Sequence, residues 1–256
     1  MKPQLATDWI EWQNDHDLRL RDPDIPGGEP DDGDVPIVPP HWTPTNTKPF
    51  AYTISTTMTS NVHLVTPDQS VTGQVCIRYL VVNSWSDGFE DIPRTKDKIA
   101  SLPTELAHQP PARPRVRPPY TLTQNYAFYV KRHQDSDWAC AGTRTAVHPQ
   151  VFLTFGQPVG PWGQTQGGTI RTCWSAVLNT ACTWMPAEGY NSGQARDAMK
   201  RLACKAYYSG YKDYSGNISH YHPIPNANNP CTATGWGFDL WELMGASEAD
   251  CQDMSL

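Results

Sequence analysis

The sequence contains seven cysteines, and a cysteine thiolate is a nucleophile that can form a covalent acyl intermediate. Cys251 stands out because it follows small and acidic residues that are typical of a helix start, with Ser247 or Asp250 as the cap. Unpaired backbone N–H groups in a first helical turn favour a thiolate and can bind the oxyanion of a tetrahedral intermediate. Asp250 and Asp253 oppose the thiolate by charge repulsion. We therefore take Cys251 as the candidate nucleophile; the alternative is a buried cysteine that only packs.

The remaining reactive side chains give weaker signals. Long spacings and an odd cysteine number argue against a disulfide framework. His220 and His222, with Cys231 nearby, would supply three zinc ligands without a visible fourth. No phosphate-binding loop, zinc-protease motif or serine-hydrolase motif occurs. We therefore predict no metal and no cofactor. Three cysteines fall on apolar faces of predicted helices: Cys173, Cys182 and Cys204.

The run Gly237–Met244, followed by Ala249-Asp250-Cys251-Gln252-Asp253-Met254-Ser255, resembles bacterial transglutaminase-like proteins. In that family a helix pair and a short aromatic helix precede a Gly/Ala-Asp-Cys segment, and an all-β module often comes first. The resemblance covers 169–256 and implies a papain-like fold with Cys251 as nucleophile. It also implies acyl transfer or amide hydrolysis through a thioester, on a protein or peptide substrate.

The same resemblance raises a difficulty with chain order. In that family the histidine and aspartate of the triad follow the cysteine, whereas only residues 252–256 follow Cys251 here. We therefore expect the chain to be the N-terminal part of such a protein. We also expect it to be inactive as given, because no downstream base activates the thiol.

Two other interpretations remain open. A papain-like cysteine enzyme would use Cys173, which precedes Trp174, together with His222 and Asp239 in the order Cys, His, Asp. The apolar helix face around Cys173 weighs against this triad. The other interpretation is a non-enzymatic β-sandwich module that binds a protein or a carbohydrate through some of the ten Trp and eleven Tyr side chains.

The elements that must position these residues change character along the chain. Residues 50–160 show the two-residue alternation of β-strands, interrupted by a Pro/Arg-rich insertion at 91–119 that we predict to be a long loop or a polyproline-like segment. Helical periodicity follows in Thr169–Trp184, in Asn191–Ser209 with Met199 inward, and in Gly237–Met244. The predicted strands are Tyr52–Ser60, Val62–Val65, Val71–Val82, Tyr120–Lys131 and Gln150–Phe155.

Strands followed by helices favour an α+β fold. We predict an antiparallel β-sandwich-like domain at 50–160, then a small helical region at 161–256 that begins a transglutaminase-like, papain-like core. Residues 1–49 are proline-rich, and ten acidic and three basic residues fall among the first 34. We therefore expect 1–49 to be an extended arm that is mostly unpacked.

Composition also excludes some partners. The net charge of −6 disfavours a nucleic-acid binder that works by neutralising phosphates. No run of 18 apolar residues is present, so we expect no membrane-spanning segment. With no visible signal peptide and no paired-cysteine spacing, we expect a cytoplasmic location.

Overall fold

The structure is a computed structural model, and it describes residues 4–20, 35–66, 74–88, 94–131, 137–158, 173–209, 220–221 and 248–249. These residues form strands and two α-helices, α1 (Ser175–Thr183) and α2 (Ala195–Ser209), with a 3₁₀ turn at Ser192–Gln194. The strands are β1 (Ala6–Gln13), β2 (Leu18–Leu20), β3 (Val35–Pro36), β4 (Phe50–Thr53), β5 (Thr59–Val65), β6 (Gln74–Trp85), β7 (Arg94–Ser101), β8 (Thr104–His108), β9 (Tyr120–Lys131), β10 (Ala139–Thr154), β11 (Cys173–Trp174), β12 (His220–Tyr221) and β13 (Glu248–Ala249).

Two sheets face each other across the main core. One has the order β1-β5-β8 and the other β4-β10-β9-β6-β7, and all neighbours are antiparallel except β4 and β10. Side chains alternate between buried and half-buried along β6 and β9, as the sequence pattern predicts. The described fold is therefore a β-rich α+β fold with antiparallel sheets, and this part of the prediction is confirmed.

Three hydrophobic clusters stabilise this arrangement. The central cluster lies between the sheets and includes Ile10 and Val62 from one sheet and Ile77 and Phe128 from the other. Each fully buried side chain of this kind contributes roughly 1.5–3 kcal/mol. The aromatic cluster fills one end of the sandwich and contains Trp12, Phe50, Tyr52, Ile54, Met58, Trp85, Val116, Tyr120, Leu122, Val151, Leu153, Met185 and Ala198. The thiol cluster contains Leu18, Ala51, Phe152, Cys173, Leu178 and Cys182.

The N-terminal segment differs from the unpacked arm expected from its charge. Its strand β1 pairs antiparallel with β5, and Ile10 and Trp12 are 0% and 1% exposed. The Ile10 N–H donates a 2.9 Å hydrogen bond to the Trp42 carbonyl, so the backbone at Trp42 lies against β1. The acidic residues Asp8 and Glu11 occupy less buried positions between the core residues. The acidic residues of this segment therefore do not prevent its burial. The expectation of an unpacked arm is wrong for the described residues of the segment.

The insertion at 91–119 is also more ordered than the long loop that we expected. It contains β7, a charged edge strand of the larger sheet, and β8, which pairs with β5. The arginine-rich end of the insertion packs on the sandwich. The Arg113 side chain is 8% exposed, its Cζ lies 4.6 Å from the centroid of the Trp85 ring, and its Nη2 lies 3.1 Å from Asp87 Oδ1. The prolines of this stretch lie mostly outside the two strands.

The two helices agree in part with the sequence pattern. Helix α1 begins at Ser175 because Cys173–Trp174 form a short strand, and residues 159–172 lie outside the described residues. Asn191 caps the 3₁₀ turn that precedes α2, because its Oδ1 accepts the Gly193 N–H at 3.0 Å. Met199 was predicted to face inward but is 69% exposed, and Ala198 is buried instead.

The helical region packs on the sandwich through a short backbone bridge. Val116 and Tyr190 exchange two N–H···O=C hydrogen bonds of 2.8 Å each. Beside them, Gly189 has φ +66°, and a Cβ there would lie 2.7 Å from the Val116 carbonyl oxygen. Met185 and Ala198 add their side chains to the aromatic cluster. Sandwich and helices therefore share buried surface.

Candidate functional site

The segment that leads to Cys251 is described only at its start. Strand β13 pairs in parallel with β12, so that His220 lies opposite Glu248. Cys251 itself lies three residues further along the chain, outside the described residues. His222, Asp239 and the predicted helix Gly237–Met244 lie outside them as well.

Cys173, the nucleophile of the rival triad, lies in a buried position. It belongs to β11, which pairs in parallel with β2, and it is 6% exposed. Burial raises the pKa of the Cys173 thiol to about 11, although a backbone hydrogen bond from Leu178 partly opposes this rise. A thiol with this pKa carries almost no thiolate at neutral pH, so the environment of Cys173 disfavours nucleophilic chemistry.

Cys182 lies in the same thiol cluster, on α1. Burial, and secondarily the neighbouring Cys173, raises the pKa of Cys182 to about 12. Of the other cysteines, Cys76 is half-buried on β6 and Cys140 is exposed on β10. Cys204 belongs to α2, and Cys231 lies outside the described residues.

We expect Cys173 and Cys182 to resist alkylation in the folded chain. At pH 7.5 a thiol of pKa 11 is ionised to less than about one part in a thousand. Iodoacetamide at this pH, followed by peptide mass spectrometry, should leave both residues unmodified until urea unfolds the chain. Rapid native modification of Cys173 would contradict the burial described above.

A network of buried polar side chains lies inside the sandwich and was not predicted from the sequence. His148 Nε2 donates to Gln124 Oε1 at 3.2 Å, and Gln124 Nε2 donates to Asn83 Oδ1 at 3.1 Å. Asn83 also hydrogen-bonds His108 Nε2 at 2.9 Å. All four side chains are buried. Polar residues at inward positions of β6, β8, β9 and β10 were the available signal, because buried polar groups must find partners.

A third buried histidine, His41, lies near one end of this network. His41 is 1% exposed, and its Nδ1 accepts the backbone N–H of Trp12 at 3.1 Å. Its Nε2 lies 3.2 Å from Asp15 Oδ2. The arrangement of His41 and Asp15 resembles two thirds of a catalytic triad, but both ring nitrogens are already engaged. Their geometry points to a structural role.

The outer face of the smaller sheet carries an aromatic platform. Trp9 on β1 stacks on its cross-strand partner His63, with ring centroids 4.7 Å apart and planes 2° from parallel. His63 Nδ1 lies 3.5 Å from Asp8 Oδ2. On β8, Glu105 Oε2 accepts a 3.4 Å hydrogen bond from Asn61. Aromatic, carboxylate and amide groups thus lie together on this half-exposed face.

Metal sites and membrane-spanning helices were sought among the described residues. No three His, Cys, Asp or Glu side chains among them gather into a group that could hold a metal ion. Neither α1 nor α2, the helices in the part that the structure describes, is long and apolar enough to cross a membrane.

In comparisons with protein families, with curated proteins and with solved structures, nothing matches the chain.

Proposed function

We propose that Cys251 is the nucleophile of a transglutaminase-like or cysteine-peptidase-like domain that begins in the helical region. The observation that carries the proposal is the sequence Ala249-Asp250-Cys251 after the aromatic run Gly237–Met244. Two further points support it. The burial of Cys173 and Cys182 disfavours both as thiolates, and β12 brings His220 beside the strand that leads to Cys251.

The proposed reaction is acyl transfer from an amide. The Cys251 thiolate attacks the amide carbonyl, and the carbon–sulfur bond forms as the carbonyl electrons move to oxygen. The carbon–nitrogen bond then breaks, and the leaving amine departs with a proton from a general acid. Water or an amine takes the acyl group from the thioester and restores the thiol. Both outcomes use the same cysteine.

Thiol reactivity tests this proposal. We expect iodoacetamide at pH 6.5 to modify Cys251 at least tenfold faster than Cys140, because a nucleophilic cysteine keeps more thiolate at this pH than an ordinary exposed one. The fast phase should disappear in Cys251→Ala and persist in Cys173→Ala and Cys140→Ala. Equal rates at Cys251 and Cys140, or loss of the fast phase in Cys173→Ala, would overturn the assignment.

A second candidate function rests on the Trp9–His63 platform. We propose that the sandwich binds a carbohydrate there, since an aromatic face packs on sugar C–H groups while nearby carboxylates and amides accept and donate hydrogen bonds. A glycan array probed with the full chain and with Trp9→Ala tests this. The control is Trp138→Ala, since the Trp138 ring lies under Arg78 on the other sheet. Binding that survives Trp9→Ala would exclude the platform.

A further inference from the structure

Strand β1 is held in the sandwich by a hydrogen bond to a buried histidine side chain. The backbone N–H of Trp12 donates to His41 Nδ1 at 3.1 Å, and only an unprotonated ring nitrogen can accept this hydrogen bond. The single ring proton of His41 is therefore on Nε2, which faces Asp15 Oδ2 at 3.2 Å. Protonation of Nδ1 would replace this acceptor with a second donor aimed at the Trp12 N–H.

A second histidine, His148, lies behind the same strand and is neutral. Its Nε2 donates to Gln124, and its Nδ1 has no hydrogen-bond partner among the described residues. The ring is packed edge-on against Trp12 and Phe50, with centroids 5.4 Å and 5.5 Å away. Burial, and secondarily His41, lowers the pKa of His148 to about 3. A proton on Nδ1 would add a buried charge and a donor without an acceptor.

Several charged and titratable groups surround the two histidines. Asp15 is the carboxylate that contacts His41, and Asp17 follows it on the same connection. His16 lies on that connection too and hydrogen-bonds Thr53 through Nε2 at 2.9 Å. Burial lowers the pKa of His16 and raises the pKa of Tyr52 on β4. From β10, the Arg144 guanidinium lies 4.9 Å from the Trp42 ring and adds positive charge beside the His41 segment.

Strand β1 is an edge strand of its sheet and forms its ladder with β5. The remaining edge of β5 is already paired with β8, so the departure of β1 would leave that pair intact.

We propose that His148, packed against Trp12, acts as an acid-sensitive latch that keeps β1 in the sandwich and releases it when the imidazole is protonated. The direction of the pH effect on β1 opening follows from proton linkage. A solvated histidine binds a proton below about pH 6.5, whereas latched His148 does so only near pH 3. Between these values the open form binds more protons, so the latch weakens as the pH falls. For each such proton, the opening constant rises about tenfold per pH unit.

Hydrogen exchange on the full chain tests the latch. After correction for intrinsic exchange rates, we expect the amides of Ala6–Gln13 to lose about 50-fold in protection between pH 6.5 and pH 4.5 if one proton is bound. The amides of β6 and β9 should keep most of their protection. Equal losses in all strands would show global acid unfolding, and unchanged protection of β1 would show that no latch exists. Either result overturns the proposal.

Two variants and one spectrum separate the latch from general acid sensitivity. His148→Gln should flatten the pH dependence of β1 protection by about tenfold per pH unit. The control His220→Gln lies in β12, which pairs with β13 outside the two sandwich sheets, and should leave that dependence unchanged. If His148→Gln fails to fold, nitrogen-15 imidazole spectra of the unaltered chain still decide. At pH 6 the His148 ring should show the neutral form protonated at Nε2. A protonated His148 at that pH would contradict the proposal.

Discussion

Replacing Trp12 with alanine should lower the free energy of unfolding by about 3–5 kcal/mol, as for other large buried aromatic residues. The indole is 1% exposed and stacks on Phe50 with centroids 4.5 Å apart. It also packs edge-on against Tyr52 at 6.3 Å, so its removal leaves a cavity inside the aromatic cluster. Urea denaturation followed by circular dichroism measures the change.

Trp9 provides the matched control on the same strand. Its ring lies on the outer face of the smaller sheet against His63. Its removal creates no core cavity, so Trp9→Ala should cost about 1 kcal/mol or less. Equal losses in Trp9→Ala and Trp12→Ala, or no loss in Trp12→Ala, would show that β1 is not part of the core.

Substituting Gly189 with alanine should be the second most damaging change and should lower the free energy of unfolding by about 3 kcal/mol. The positive φ of +66° strains an L-residue by roughly 1–2 kcal/mol. The new Cβ would also lie 2.7 Å from the Val116 carbonyl oxygen and 2.9 Å from the Arg117 Cβ. Since backbone atoms form part of this clash, the bridge between Val116 and Tyr190 must move. Thermal unfolding of the full chain reports the loss.

Gly88 separates the strain from the clash. It has φ +80°, but a Cβ there would meet nothing within 4 Å. Gly88→Ala should therefore cost only the conformational strain, about 1 kcal/mol. If Gly189→Ala costs no more than Gly88→Ala, then the contact between the bridge and Gly189 contributes nothing to stability.

Much of the fold was predictable from local sequence patterns. Strands β6 and β9 show clear alternation of β-branched and aromatic residues, and their pairing buries that face. The cap at Asn191 also follows a common local pattern, because a short polar side chain before a helical segment often accepts one of its first N–H groups.

The missed strands carried a different signal. In Ala6–Gln13, Ile10 and Trp12 alternate with charged and polar residues, yet overall acidity suggested a disordered arm. Whether such a strand forms depends on a partner, here β5, that lies far along the chain. Strand β7 has exposed Lys96 and Lys98, since an edge strand gains from charges that prevent further pairing. Edge strands therefore lack the pattern that identifies central ones.

The candidate sites show the same limit. The sequence around Cys251 is a local motif, so it was recognisable without coordinates. The contacts of His41 and His148 join residues that are distant in sequence, and no local pattern marks an imidazole that accepts a backbone N–H. The stacked pair of Trp9 and His63 depends on strand register in the same way.

Strand β10 contributes to all three hydrophobic clusters. Ala146 lies in the central cluster, Val151 and Leu153 in the aromatic cluster, and Phe152 in the thiol cluster. Because β10 contacts all three clusters, separate thermal unfolding of the helices would break contacts along this strand and so destabilise the sandwich as well. We expect scanning calorimetry to record one cooperative transition, and we expect a polypeptide cut near residue 160 to lose stability on both sides of the cut.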